Sequence, residues 1–292
     1  MPTLPVQMDF AGTTIRSLSA LEDFQAAEGI QQQIWGLGDP TWVIPSNLLL
    51  TAQKNGGLVA GAFDDSGTMV GVLFGFLGMT QDGHFKHCSH IMGIIPAVRR
   101  QNIGRGLKLF QREYVRAQGL DLITWTYDPL EGVNASLNIG RLGAIARNYY
   151  ENLYGFWQDT LNAGLPTDRF EVEWHINSPR VAQFVETERV IPTLESLTEA
   201  RFINSVQLDD MSVLIPVDSY FDLETPTLLL EVPPEFQAIK LVAMETAQVW
   251  RTHTNALFNH YFGRGYAVTD FLSERVQGRR RNVYVLTRFE AS

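Results

Sequence analysis

Three arginines and two glycines crowd into one short run, Arg99-Arg100-Gln101-Asn102-Ile103-Gly104-Arg105-Gly106. Basic side chains beside glycines at a helix start suit a phosphate-bearing ligand. The first amides of a helix have no intrahelical acceptor, and the aligned peptide dipoles add partial positive charge there. Gly104 and Gly106 would let the backbone approach such a ligand closely. The whole chain carries 23 basic against 32 acidic side chains, a formal net charge of −9, so the basicity is local. The contrast points to a small anionic molecule and away from general binding to nucleic acid or an anionic membrane.

Just upstream lie His84, His87, Cys88 and His90. Strand alternation would put His84, Cys88 and His90 on one face and His87 on the other. No further cysteine or matched histidine pair completes a ligand set, so no metal is expected. His90, with an ordinary pKa near 6.5, suits removal of a proton from an ammonium, directly or through water. A hydrogen-bonded strand histidine is the equal alternative.

The elements around these groups can be read from periodicity. Residues 91–95 have strand length and β-branched content, and Pro96 ends the ladder because it lacks a backbone donor. Beyond it, Ile103, Leu107, Phe110 and Tyr114 recur at helical spacing, with Lys108, Arg112 and Arg116 on another face. Earlier come a strand at 13–18, a helix at about 20–35, a loop at 36–45 and a helix at 46–54. A hairpin of 58–63 and 69–74 follows, closed by Asp64-Asp65-Ser66-Gly67. Later come a strand at 121–127, a turn at 128–132 and a helix at 137–153 carrying Leu142, Ile145, Ala146 and Tyr149. After a weak junction at 178–210, a strand at 227–232 stops at Pro233-Pro234, and a long helix is expected over 239–262. Gly263 and Gly265 end that helix before strands at 266–272 and 282–287.

At the strand, proline, loop and helix the sequence resembles the GNAT superfamily of acyl-CoA-dependent N-acyltransferases. The family's signature is a strand ending in proline, then R/Q-x-x-G-x-G/A opening a helix. Counted from Pro96, the run from Arg99 to Gly104 takes the motif's place, with Asn102 where the family usually has its first glycine. Shifted by two, the run from Gln101 to Gly106 matches the letters but sits farther from the proline. Loop length favours the first register, and asparagine tolerates a left-handed turn. The order of strand, helices, hairpin and strand-loop-helix is also the family's order. Ala146-Arg147-Asn148-Tyr149-Tyr150-Glu151-Asn152-Leu153-Tyr154-Gly155-Phe156 is similar to a second landmark, a helix ending in A-x-x-L/F-Y-E-x-x-G-F, with Tyr154 as one extra residue. Together with TWTYDPL and GLPTDRFEVEW, it is similar to a subgroup of large bacterial members described as predicted acetyltransferases. The resemblance covers roughly residues 10–178.

The resemblance implies an α/β (α+β) fold: a mixed, mostly antiparallel sheet flanked by helices. Residues 1–178 would form the acyl-CoA-binding domain and 179–292 a C-terminal α/β extension. HYFGRGY echoes YYENLYGF, which suggests that the extension repeats half of the first domain. Arg99, Arg100, Gln101, Asn102, Ile103, Gly104, Arg105 and Gly106 would hold the CoA pyrophosphate. Backbone groups of Ile94 would pair with pantetheine amides as an added strand does. Asn138 and Asn134 would contact CoA or acceptor, or serve as cap and turn residues. Tyr150 would protonate the departing thiolate, with Tyr149 and Tyr154 as fallbacks, and His90 would be the base. Arg141 or Arg147 would pair with a carboxylate on donor or acceptor.

The expected co-substrate is acetyl-CoA or another acyl-CoA such as succinyl-CoA. The expected acceptor is a small-molecule amine, an amino acid among the candidates. A single cysteine and the lack of a signal-like or membrane-spanning run point to a cytoplasmic protein without membrane or nucleic-acid partners. A homodimer through the later part is left open. Two rivals stand beside this reading. One is a non-catalytic acyl-CoA-binding protein. The other is a nicotinamide-dinucleotide oxidoreductase using Gly104-x-Gly106 and Asp128, with Leu109 where its third glycine belongs.

Overall fold

The computed structural model describes residues 4–36, 42–155 and 164–288. By packing, the chain forms two compact units. The first comprises Met1–Trp125 with the returning segment His175–Asn177, and the second takes most of the remainder. The cut therefore falls inside a strand near residue 125, and residues 126–155 and 164–174 pack with the later chain.

The first unit opens with β1 (Gln7–Phe10) and β2 (Thr13–Ser17), then α1 (Leu21–Trp35) and α2 (Ser46–Lys54). β3 (Leu58–Phe63), β4 (Met69–Met79), β5 (Phe85–Ile94), α3 (Ile103–Ala117) and β6 (Leu122–Tyr127) follow. The strands lie side by side in sequence order, antiparallel from β1 through β5. β5 and β6, separated by α3, pair in parallel. Phe24, Ala27, Ile30 and Ile34 of α1 and Leu49 of α2 bury against Val59, Val72 and Phe74 of the sheet. Each of these burials other than that of Ala27 stabilises by about 1.5–3 kcal/mol before entropy is charged against it. The helices expected at about 20–35 and 46–54 and the hairpin are present, while part of the 36–45 loop lies outside the described residues.

The segment His175–Asn177 completes this unit. Ile176 N–H donates to the Asp121 carbonyl at 2.8 Å, and Arg112 Nε donates to the Ile176 carbonyl at 2.9 Å. Arg112 and Lys108, on another face of α3 than Ile103, Leu107, Phe110 and Tyr114, are nevertheless 5% and 1% exposed.

In the second unit, α4 (Gly132–Ala135) runs into a π-helical turn, Ser136–Arg141, and β7 (Ile145–Tyr150) and β8 (Arg169–His175) follow. The expected helix over 137–153 is thus corrected. Gly143, at φ 73°, ends the helical stretch, and Ile145, Tyr149 and Tyr150 suit a strand that pairs antiparallel with β8. The spacing of Leu142, Ile145, Ala146 and Tyr149 mimics a helix face, and the neighbouring strand overrides it. The landmark read as a helix end is strand and turn, and its last residue, Phe156, lies outside the described residues.

The later chain forms α5 (Pro179–Val185), β9 (Arg201–Phe202), β10 (Asn204–Leu208), β11 (Leu214–Ser219) and β12 (Thr227–Val232). α6 (Phe236–Val242), α7 (Met244–Gly263), β13 (Tyr266–Val276) and β14 (Arg279–Arg288) complete it. The single helix expected over 239–262 is two, broken at Ala243, where φ −149° and ψ 71° are not helical. Neighbouring strands run β8, β7, β13, β14, β12, β9, antiparallel except for the last pair, and β10 and β11 form a separate hairpin. An aromatic cluster fills the interior, with Phe170 and Phe258 rings edge to face at 4.6 Å and Tyr284 against both. The fold class is as expected: a mixed, mostly antiparallel sheet flanked by helices.

Candidate functional site

β5 has two unlike edges. Along one it pairs with β4 from Phe85 to Ile94, whereas along the other it pairs with β6 at His87 and Cys88 alone. From Ser89 onward, no strand among the described residues of the first unit continues the ladder on that edge. Backbone groups there are open to an extended ligand that carries amides of its own. Ile94 lies on this stretch, at the end where Pro96 and a short 3₁₀ turn, Pro96–Val98, redirect the chain.

The turn delivers the chain to α3 through two left-handed residues, Arg100 at φ 69° and Asn102 at φ 65°. Asn102 is the helix N-cap, and its carbonyl accepts from Arg105 N–H at 2.9 Å and Gly106 N–H at 3.2 Å. The asparagine thus takes the turn position expected of it in the register counted from Pro96. Gln101 and Arg100 are exposed, Gly104 and Arg105 half-buried, and the Ile103 side chain is in the core. Arg99 is directed elsewhere. Its Nη2 donates to the Ile34 carbonyl at 2.8 Å and its Nε to the Ile94 carbonyl at 3.2 Å. Gly106 also has a different reason to be glycine. A Cβ there would lie 2.6 Å from Phe10 Cδ1 and 2.7 Å from Ile15 Cδ1, so the missing side chain permits packing on β1 and β2.

A bulge reshapes the histidine cluster. Gly75 pairs with Ser89 and Phe74 with Ile91, leaving His90 as an extra residue on β5. The added residue resets the alternation, so Ser89 faces α3 whereas Ile91 packs into the α1 and α2 side of the core. The simple alternation that grouped His84, Cys88 and His90 is corrected on this ground, and His84 lies before the strand. His90 keeps an exposed edge and sits 6.0 Å from the Phe74 ring and 5.9 Å from the Phe76 ring. Lost hydration lowers its pKa from the ordinary value, which keeps it neutral and able to accept a proton at neutral pH. Among the described residues, no group of three His, Cys, Asp or Glu side chains is arranged to hold a metal ion.

The sequence missed what lies under this bulge. Lys108 of α3 is buried, with Nζ donating to Ser89 Oγ at 2.8 Å and to Gln111 Oε1 at 3.1 Å, and 3.5 Å from the centre of the Trp125 ring. Burial pushes its pKa well below the ordinary value. His87 is fully buried on the same side and neither of its ring nitrogens has a partner. Burial first, and the charge of Lys108 second, lower its pKa to about 3. The available signal was Lys108, Gln111 and Val115 at i, i+3, i+7, beside the apolar stripe of α3. A lone lysine on a helix reads by default as solvated.

Other expected site residues belong to the second unit. Tyr150, at the end of β7, is 39% exposed, and its hydroxyl donates to Glu171 Oε2 at 3.1 Å. Burial, then Glu171, raise its pKa, which makes it a weaker acid than a free phenol. Tyr149 donates to Asp168 Oδ2 at 2.6 Å, and the Tyr154 hydroxyl pairs with Thr126 Oγ1 at 2.9 Å. Arg147 pairs with Glu173 at 2.6 Å, so its charge is matched within the fold, and Arg141 is exposed. Asn138 is buried in the π-helical turn and its carbonyl accepts from Ala144 N–H at 3.1 Å, while Asn134 is exposed.

Asp128, assigned to a ribose in the dinucleotide alternative, is engaged internally. Arg251 grips it at 2.8 Å and 2.5 Å, and Leu130 N–H donates to it at 2.9 Å. Burial acts to raise its pKa, but Arg251 and Arg169 hold it below the usual carboxylate range. A buried carboxylate so occupied has no free oxygen for a hydroxyl pair.

No protein-family model matches the chain, and no curated protein matches it. Among solved structures it is similar to the ribosomal-protein-S18-alanine N-acetyltransferase of Escherichia coli, at 17% identity over 57% of this chain and 95% of that one, with a TM-score of 0.45. Naa20 of Chaetomium thermophilum, in complex with a bisubstrate analogue, is 13% identical over 60% and 95%, with a TM-score of 0.44. A GNAT-family acetyltransferase of Streptococcus pneumoniae is 14% identical over 55% and 96%, with a TM-score of 0.45. These are partial likenesses in shape, and the fold class rests on the strand order itself. No helix among the described residues is long and apolar enough to cross a membrane.

Proposed function

We propose that the chain is a GNAT-type N-acyltransferase that moves an acyl group from a CoA thioester to an amine. The observation that carries the proposal is β5, hydrogen-bonded along one edge through Ile94, open along the other after Cys88, and followed by a tight turn into the N-terminus of α3. An extended pantetheine arm fits the open edge, and a pyrophosphate fits the first amides of α3 with Arg100 beside them. In this reading Ile94 pairs through its backbone, Gln101, Asn102, Ile103, Gly104 and Arg105 surround the pyrophosphate, and Arg99 and Gly106 shape the turn. His90, neutral at pH 7, takes the proton of the incoming ammonium through water. The acceptor is a small-molecule amine, and the acyl group is acetyl or a longer one such as succinyl.

Thermal unfolding with CoA, acetyl-CoA, succinyl-CoA and NAD tests the reading. A ligand at a hundred times its dissociation constant stabilises by about 2.7 kcal/mol when it binds the folded state alone. Stabilisation by the CoA compounds, followed by thiol release with an amine panel, is the expected result. Stabilisation by NAD alone, or by none of the four, overturns it. Binding of CoA without thiol release under any amine moves the assignment to a non-catalytic acyl-CoA-binding protein.

A further inference from the structure

Arg275, Arg279, Arg280 and Arg281 crowd the β13–β14 hairpin of a chain whose net charge is −9. Arg279 and Arg281 both pair with the buried carboxylate of Glu231. Arg275 and Arg280 differ. They stand directly opposite each other across the two strands, both exposed, and among the described residues neither pairs with a carboxylate. Like charges so opposed destabilise a strand pair. Arg280 Nε donates to Ser273 Oγ at 3.0 Å, which leaves its two terminal nitrogens as an unengaged fork.

Arg280 also lines a cavity of about 290 Å³ whose other walls are mostly apolar. Leu208 and Leu214, cross-strand partners on β10 and β11, line it together with Ile239 and Val242 of α6. Leu214 and Ile239 are buried, whereas Leu208 and Val242 are 53% and 73% exposed. The cavity thus has an apolar interior and an apolar rim that is wetted. Glu235, the acid on its lining, is exposed and forms no ion pair with either arginine. The volume is at the small end of the roughly 300–1,000 Å³ of ligand pockets, which suits a small molecule.

We propose that this groove binds a single-chain aliphatic carboxylate of medium length. The free fork of Arg280 matches the two oxygens of a carboxylate, which it holds by parallel charge-assisted hydrogen bonds. The aliphatic tail covers Leu208 and Val242 and fills the space between the β10–β11 hairpin and α6, removing apolar surface from water. The bound anion also offsets the repulsion between Arg275 and Arg280. Every residue of the site belongs to the second unit, so the proposal stands apart from the acyl-CoA reading.

Calorimetric titration of the full chain with decanoate, kept below its micelle concentration, tests the proposal. The expected result is one decanoate per chain, with affinity that falls as salt is added. Acetate, which has the head alone, and decyltrimethylammonium, which has the tail with the opposite charge, should not bind. Arg280→Gln should weaken decanoate at least about 10-fold through the lost charged hydrogen bonds. Ala238→Trp, at an exposed position on the lining, should fill the groove and abolish binding. Near-UV circular dichroism checks that both variants keep the fold. No binding of decanoate to the wild type, equal binding of decyltrimethylammonium, or binding unchanged in either variant overturns the proposal. Binding of an acidic, leucine-containing peptide with none of decanoate also overturns it, and makes the groove a protein-docking surface.

Discussion

Arg99 Nη2 lies 2.8 Å from the carbonyl oxygen of Ile34, in the last turn of α1. Its Nε holds the Ile94 carbonyl at the end of β5, so this arginine ties a helix end to a strand end. Arg100, one residue on, is exposed at a left-handed position. Two adjacent arginines therefore separate into one bonded within the fold and one exposed to solvent. Arg99→Ala is expected to lower stability by about 1 kcal/mol, the usual value of a charged hydrogen bond reduced for its exposure to water. Arg100→Ala should leave the urea midpoint unchanged and weaken CoA binding, with a smaller salt dependence of the dissociation constant.

Gly106→Ala should separate packing from binding. The added methyl meets Phe10 and Ile15 at distances that side chains essentially never adopt, and overpacking of this kind costs about 1–3 kcal/mol. Urea unfolding should show that loss, while CoA affinity measured well below the transition stays near wild type.

Acidification should weaken the first unit through His87. Its pKa falls from an ordinary 6.5 to about 3 on folding, so between those values the unfolded chain binds the extra proton. The stability associated with a neutral His87 is complete above pH 6.5 and declines as pH falls toward 3. Urea midpoints taken from about pH 7 to about pH 4 should decline less steeply in His87→Leu. His253, lowered to about 4 by burial, contributes a slope of the same sign in the second unit and remains in that variant.

If His90 takes the acceptor's proton, the acid limb of kcat/KM should fall below pH 6.5, because lost hydration lowers its pKa from that value. His90→Gln should reduce kcat/KM by about 100-fold or more and flatten that limb. An unchanged profile in the variant would remove His90 from the mechanism.

Asp128→Ala should destabilise the second unit by about 3–5 kcal/mol, since it strands the buried Arg251 guanidinium. The folded pKa of Asp128 lies below its ordinary value, so its contribution is present above about pH 4 and is lost as pH falls through the folded pKa. Chemical unfolding of wild type and variant at neutral and acid pH checks both the size and the sign.

Much of the first unit was legible because its signals are local. Pro96 ends a strand, Asn102 turns left-handed, and Ile103, Leu107, Phe110 and Tyr114 mark one face of a helix. What escaped depends on partners distant in sequence. Ile145 to Tyr150 has a spacing that serves either a helix or a strand, and only β8 decides it. Lys108 looks solvated until Ser89 and Trp125 close over it. The bulge at His90 carries no sequence mark, yet it decides which face every later residue of β5 takes. Arg99 and Gly106 carried the right letters for a ligand loop, and their contacts assign them to packing.

The hydrogen bonds of Ile176 to Asp121 and Arg112 also set an order of events during synthesis. The first unit's main body ends at Trp125, but its closing segment ends at Asn177, 52 residues later. At about 5–20 residues per second, the ribosome needs roughly 3–10 s more to supply it. Through that interval the nascent sheet waits with the Asp121 carbonyl and the Arg112 guanidinium lacking these partners. A chaperone that shields the β6 edge would be most useful in that window, and a nascent chain arrested before Ile176 should be the protease-sensitive one.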